Sequence, residues 1–240
     1  MQEEIMMPNL KIPKGGISDK VLVCGDPGRV KKISEMLDDA KELSFSREYR
    51  TVNGIYKGKK ITVSSHGVGC PGAAVCFEEL IKAGAKQIIR MGTAGSYVEE
   101  ITPGSLLVAD SAVREDGLTA QLVPKGMPAV SDFDLVKKLE DRVKESGVKY
   151  RRGTIVTLDA FYQGAIKFPH EQYKLSGAIG AEMELSALLI IARLRGVAAA
   201  GIFVTDGYAD ADMNDYNPHV DEVKNGTELG IEIALNALIS

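Results

Sequence analysis

The chain has 240 residues, 45% of them hydrophobic and 26% charged, with a formal net charge of −4. That is an ordinary globular composition with enough chain for one full core. It argues against a nucleic-acid partner, which needs a basic face, but not against a small phosphate-bearing ligand that a few arginines can hold. No apolar run approaches the roughly 18 residues of a membrane span, and the start, MQEEIMMPNL, lacks the apolar core of a signal segment. Cys24, Cys70 and Cys76 show no paired metal spacing and read as small buried thiols, which suits a reducing, cytoplasmic setting. No repeat or linker divides the chain, so a single domain over 1–240 is expected, of class α/β.

Residues 1–19 read as an irregular arm, with Pro8, Pro13 and Gly15-Gly16. A short buried strand follows over Lys20–Cys24, then a helix over Val30–Leu37. The glycine-rich turn between them, Gly25 to Arg29, is expected to leave backbone N–H groups free at the positive helix end, which suits an anion. Arg29 is set against the helix dipole there, as if it faced that anion. Ser44–Lys60 reads as strand, turn and strand, with Asn53-Gly54 and Lys57-Gly58 as turn signals. Ile61–Ser65 is another strand, followed by His66 to Gly72 and a helix to about Ala83.

Gly67, Gly69 and Gly72 spell the G-x-G-x-x-G of dinucleotide sites. Such a site wants an acid about 20 residues on, at the end of the next strand. The next strand, Lys86–Met91, brings Arg90 there instead, which leaves only an NADP reading. Pro71 at the helix entry and the absence of the motif from the first strand weigh against even that. His66 reads as a hydrogen-bonded residue at a strand end. Arg90 to Ser96 closes the strand as a second anion-suited turn.

Ser105–Val113 is a strand or strand pair, and 114–130 a loop. Ser131 is expected to cap an amphipathic helix to about Ser146, with Phe133, Val136, Leu139 and Val143 on its apolar stripe. Arg152–Leu158 is a strand ending at Phe161-Tyr162, either a core corner or a surface on which a flat ring stacks. Gly180–Gly207 reads as a buried helix and strand carrying acids. Glu184 shares a stripe with Leu188 and Ile191, where a carboxylate needs a partner or a ligand. The apolar strand Val197–Val204 stops at Thr205-Asp206-Gly207, placing Asp206 where open α/β sheets bind ligands. Pairing of both acids with structural arginines is the alternative. Asp210, Asp212 and Asn214 imitate a calcium loop, but Asp215, Pro218 and Asp221 break the pattern, so no metal is expected. Val220–Ile239 is the closing helix.

Four stretches, in this order and spacing, resemble the hexameric nucleoside phosphorylases: Val21–Val30, Ser46–Tyr49, Ile89–Thr93 and Glu182–Glu184. The glycine run at 67–72 is ordinary in that family, which displaces the dinucleotide reading. The resemblance implies a mixed, partly closed β-sheet flanked by helices, and a homohexamer whose active sites are shared across a dimer interface. It implies phosphorolysis of a nucleoside, with inorganic phosphate as co-substrate and no cofactor. Gly25, Arg29, Arg90 and Thr93 would hold phosphate, and Arg47 would reach the phosphate of a neighbouring subunit. Glu184, Met183, Val68 and Asn9 would serve the ribose, Asn9 standing where the family has a histidine for the 5′-hydroxyl. Phe161 would stack near the base, with Ala181 and Glu182 beside it, and Asp206 would protonate or hydrogen-bond N7.

The uridine-specific branch has Asn-Arg where Thr205 is followed by Asp206. It also carries a glutamine and an arginine where this chain has Gly164-Ala165-Ile166-Lys167. Purine nucleosides are therefore expected. A uridine phosphorylase, a phosphate-independent nucleosidase and a non-catalytic nucleoside-binding protein are the alternatives. Residues 207–219 lack the arginine that helps the aspartate in many bacterial-type members, so Asp206 is expected to act alone, with 6-oxo purines favoured.

Overall fold

The computed structural model describes residues 5–211 and 216–240. Its frame starts at β1 (Lys20–Cys24), whose alternate side chains enter two different cores, Val21 and Val23 on one face and Leu22 and Cys24 on the other. A strand buried on both faces reads as a continuous apolar run. The neighbouring β5 (Gln87–Ser96) does the same with Ile88 and Ile89.

Along the chain follow α1 (Pro27–Ser34), β2 (Asp38–Ser46), β3 (Tyr49–Tyr56), β4 (Lys59–Ser65) and α2 (Cys70–Ala83). After β5 come β6 (Leu106–Glu115), the short α3 (Thr119–Leu122), β7 (Ala129–Val130), α4 (Phe133–Ser146) and β8 (Tyr150–Leu158). The remainder is α5 (His170–Leu175), β9 (Gly180–Glu182), α6 (Leu185–Arg195), β10 (Ala198–Tyr208) and α7 (Asp221–Ile239).

One mixed sheet contains all the strands. β2-β3-β4-β1-β5 form an open wing, and β5-β10-β6-β8-β9 close on themselves because β5 pairs with both β9 and β10. The sheet is thus mixed and partly closed, as the resemblance implied. The arm, α2 and α6 cover one face; α1, α4 and α7 cover the other. No described helix is long and apolar enough to cross a membrane.

Several elements differ from the sequence expectation, each for a local reason. α1 starts at Pro27, because proline suits the first helical turn and Asp26 caps it. Asn53-Gly54 lies inside β3, where any Gly54 side chain would meet Leu37 Cβ at 2.7 Å. The hairpin instead turns at Arg47-Glu48, with Arg47 at φ 56°. Residues 92–96 and 205–207 remain in strands, because β5 and β10 pair with each other as far as Ser96 and Tyr208. The 114–130 segment contains α3 and β7. Asp132 rather than Ser131 caps α4, accepting from Leu135 N at 3.0 Å. Phe133 is 69% exposed while Val136, Leu139 and Val143 are buried, so the stripe begins one turn later.

The arm is irregular yet anchored. Leu10 and Ile12 are fully buried, and the buried Glu79 carboxylate accepts from Asn9 N, Asn9 Nδ2 and Leu10 N. All three cysteines are free and buried, and burial pushes the Cys24 thiol up to about 11. Asp212, Asn214 and Asp215 of the calcium-like stretch lie outside the described residues.

α7 packs against the closed part of the sheet through Gly226, whose added Cβ would meet Gly104 O at 2.4 Å and Val204 Cγ2 at 2.7 Å. Gly226→Ala should therefore destabilise the fold by about 1–3 kcal/mol, the usual cost of overpacking, read as a lower urea midpoint. An unchanged midpoint would show that α7 can shift without loss.

Candidate active site

The carboxyl ends of β1, β5 and β10, with β9 and the start of α6, surround a cavity of about 840 Å³. That is a large small-molecule site. At one end stand Gly25 and Arg29, from the β1–α1 turn, with Thr93 and Arg90 from β5. The turn differs from expectation in one respect. Asp26 itself accepts from Gly28 N at 2.7 Å and Arg29 N at 3.1 Å, so those N–H groups are already capped. Positive charge rather than free backbone donors marks this end. Among the described residues the Arg29 head group donates only to the Met91 carbonyl, at 3.5 Å, and sulfur, at 3.9 Å. It has no carboxylate partner among the described residues.

Arg90 is in the opposite condition. Its Nε and Nη2 donate to Glu182 Oε2 at 3.1 and 3.0 Å, Nη2 also donates to Glu184 Oε2, and Nη1 donates to His66 Nε2 at 3.1 Å. Four of its five N–H groups are used. Gly92, two residues on, is required by this arrangement: a Cβ there would lie 2.9 Å from Arg90 Nη1. Because Arg90 can only donate, His66 Nε2 must accept, so Nδ1 carries the proton and donates to Gly67 O at 2.8 Å. Burial and then the Arg90 charge hold His66 well below its ordinary pKa, which keeps the ring neutral.

Glu182 is saturated. Besides Arg90 it accepts from Thr157 Oγ1 at 2.6 Å, Glu184 N at 2.8 Å and Leu185 N at 2.9 Å. It thus also satisfies N–H groups at the positive end of α6. Glu184 is not on an interior helical stripe as the spacing suggested; it occupies the cap position before α6. Its Oε1 accepts from Gly69 N at 2.6 Å, so the glycine run serves this carboxylate. Burial raises the Glu184 carboxyl, opposed by Arg90. The pairing with a structural arginine thus holds for Glu184.

It does not hold for Asp206. The register of β10 against β5 slips between Thr205 and Gly207, leaving Asp206 as the extra residue of a bulge. Bulges re-aim side chains, and this one lines the cavity with an acid that is 8% exposed. Its partner is Tyr216, whose phenol donates to Oδ2 at 2.7 Å. Burial raises the Asp206 carboxyl above its ordinary value, opposed by the hydroxyls of Tyr216 and Thr93 and by Arg29.

The far end is aromatic. Phe161 is 44% exposed and lies edge-on to Tyr162 at 5.1 Å and to Tyr216 at 5.8 Å, so the pair at 161–162 is a surface, not a core corner. Ala181, Met183 and the 77%-exposed Val68 also line the cavity. Eleven of the thirteen residues singled out from the sequence meet in this one cavity. Asn9 and Arg47 do not: Asn9 is held by Glu79, and Arg47 is exposed at the β2–β3 turn.

Sequence reasoning missed Tyr216; its reading of His66 as a hydrogen-bonded residue holds, with Gly67 O and Arg90 as the partners. The sequence around Tyr216 has no periodic pattern that would have marked it.

A cavity with a cationic end, buried acids along its walls and an exposed aromatic rim is that of an enzyme for small ligands bearing an anion and a flat ring. The chain belongs to the phosphorylase superfamily, whose family model matches residues 19–239. It is 41% identical over 236 residues to a purine nucleoside phosphorylase of Plasmodium falciparum, covering 97% of this chain and 95% of that protein. The solved purine nucleoside phosphorylase of Toxoplasma gondii, in complex with immucillin-H, superposes with a TM-score of 0.93 at 35% identity, over 99% of this chain and 97% of that one. A uridine phosphorylase from Vibrio fischeri superposes with a TM-score of 0.92 at 34% identity, over 100% and 99% of the two chains.

The Arg90 network and the Arg29 side chain should differ in what they contribute to stability. Glu182→Ala breaks a buried ion pair and strands five donors, and should cost about 3–5 kcal/mol in denaturant unfolding. Arg29→Ala, with no ion pair to lose, should stay within about 0.5 kcal/mol of the parent. Equal costs would refute this division of labour.

Proposed function

We propose that this phosphorylase is a purine nucleoside phosphorylase acting on purine ribo- and deoxyribonucleosides. An oxygen of inorganic phosphate forms a bond to C1′ as the C1′–N9 bond breaks, its electron pair leaving on the base. The products are ribose 1-phosphate, or its deoxy counterpart, and free purine. The observation that carries the reading is Asp206, a buried acid on the wall of the same cavity as Arg29, with its carboxyl raised by burial. The departing purine needs its developing charge quenched at N7, and a carboxyl whose affinity for a proton is raised can supply that proton.

Gly25, Arg29, Thr93 and the remaining N–H of Arg90 hold the phosphate, Arg29 being the cation free to turn to it. An anion fixed beside C1′ favours the cationic, oxocarbenium-like sugar of the transition state. Glu184 accepts from ribose hydroxyls while Met183 and Val68 pack on the sugar. Phe161 and Ala181 face the base, and Glu182 contributes through Arg90 and the cap of α6. Arg47 and Asn9, outside this cavity, serve the site of a neighbouring subunit in a hexamer of shared sites. The enzyme works in the cytoplasm, in purine salvage. Asp206, and the run Gly164–Lys167 without glutamine or arginine, favour purine over uridine.

Base release should be measured from inosine, guanosine, adenosine and uridine, with and without phosphate. Cleavage of inosine and guanosine only when phosphate is present is the expected result. Cleavage of uridine alone, or of any nucleoside without phosphate, would overturn the reading. Asp206→Asn should lower kcat by about 10²–10⁴-fold, the usual worth of a general acid, while nucleoside binding is partly kept. Unchanged kcat would remove Asp206 from the mechanism.

A further inference from the structure

Beyond Asp206 lies a residue to which the sequence assigned nothing. Tyr216 precedes α7 outside regular structure, yet its half-buried side chain meets both the acid and the aromatic rim. The phenol oxygen is 2.7 Å from Asp206 Oδ2. The ring lies edge-on to Phe161 at 5.8 Å and an interplanar angle of 65°. The ring also lies close to Gly207, where a Cβ would be 3.5 Å from Tyr216 Cδ2. Tyr216 therefore joins the acid to the aromatic rim.

We propose that Tyr216 is a positioning residue of the reaction: its hydroxyl holds the Asp206 carboxyl through Oδ2, so that Oδ1 presents the transferable proton to the base. The proposal rests on the purine phosphorolysis reading above. A carboxyl at a bulge is free to rotate about its own bond unless one oxygen is tied. The phenol ties it without adding a charge, which an arginine in the same place would do.

The same hydrogen bond has a second consequence. A donor to a carboxylate favours the ionised form, so the phenol works against burial and lowers the pH at which Asp206 gives up its proton. Burial, then the Asp206 charge, push the Tyr216 phenol above its ordinary range, so it remains a donor across the neutral range. Among the described residues, those facing Asp206 are Tyr216, the Thr93 hydroxyl from β5 and, at longer range, Arg29 from α1. Tyr162 faces Tyr216 from the rim. Removing the hydroxyl takes away the strongest of the influences that oppose burial.

The test is Tyr216→Phe, which keeps the ring and its contact with Phe161. Phosphorolysis of inosine is followed across pH, in the parent and in an Asp206→Asn background. In the parent, kcat should fall about tenfold at neutral pH, and the alkaline limb of kcat/KM should move up by about one pH unit, the worth of one hydrogen bond to a charged group. KM for phosphate should stay unchanged, which reports an intact fold and anion site. In the Asp206→Asn background the same substitution should change kcat less than about twofold, because the residue acts through the carboxyl. An unmoved alkaline limb, or an equal fall in both backgrounds, would overturn the assignment and make Tyr216 a structural wall. Failure of the unsubstituted enzyme on inosine would instead count against the purine reading itself.

Discussion

The buried Arg90 guanidinium is the interaction on which the site depends. It ties β5 to the end of β9 through Glu182, to the start of α6 through Glu184 and to the end of β4 through His66. β9 pairs directly with β5 and leads straight into α6, whereas β4 lies one strand away, across β1 in the open wing. A cation in so dry a place is tolerable only if nearly every N–H has an acceptor. The consequences spread outward from that requirement. Gly92 must lack a side chain, His66 must be neutral, and Glu182 must also collect the N–H groups that begin α6. The guanidinium further lies 5.2 Å from the centre of the Phe203 ring, which places the network against the apolar core.

Held this way, Arg90 has little left to offer a ligand, and the two arginines of the cavity divide their work. Arg29 rides on α1, half-buried, with only weak contacts to Met91. Its charge is uncompensated by any carboxylate contact among the described residues, and an anion can relieve that. Rigid scaffold and available charge are therefore supplied by different residues, which is how a site can be both stable and ready to bind.

The two acids of the α6–β10 unit show the same separation. Glu184 is enclosed by Arg90 and Gly69 N, and its position is set by a network. Asp206 is set by a defect, an extra residue in a strand that otherwise pairs without interruption from Ala198 to Thr205 with β5. A regular strand would place successive side chains on opposite faces of the sheet. The bulge exempts one carboxyl from that rule, and Tyr216 then secures it.

The sequence by itself determined the two-faced core, because strands buried on both sides must be apolar throughout, as at Val21–Cys24 and Ile88–Ile89. It determined the glycine-rich turn at 25–29, and it marked Glu184 and Asp206 as acids where apolar residues belong, since burying a carboxylate without purpose is costly. The resemblance those motifs carry picked out thirteen residues, eleven of which line one cavity. Only the tertiary structure decided which acid met which partner. Arg90 and Glu184 are 94 residues apart, and no local periodicity encodes a contact at that range. The extension of β5 and β10 past their apolar runs depended on each having the other to pair with, and so did the bulge at Asp206. Tyr216 lay in a stretch with no repeating pattern, and its meaning came wholly from the carboxyl that folding brought to within 2.7 Å of it.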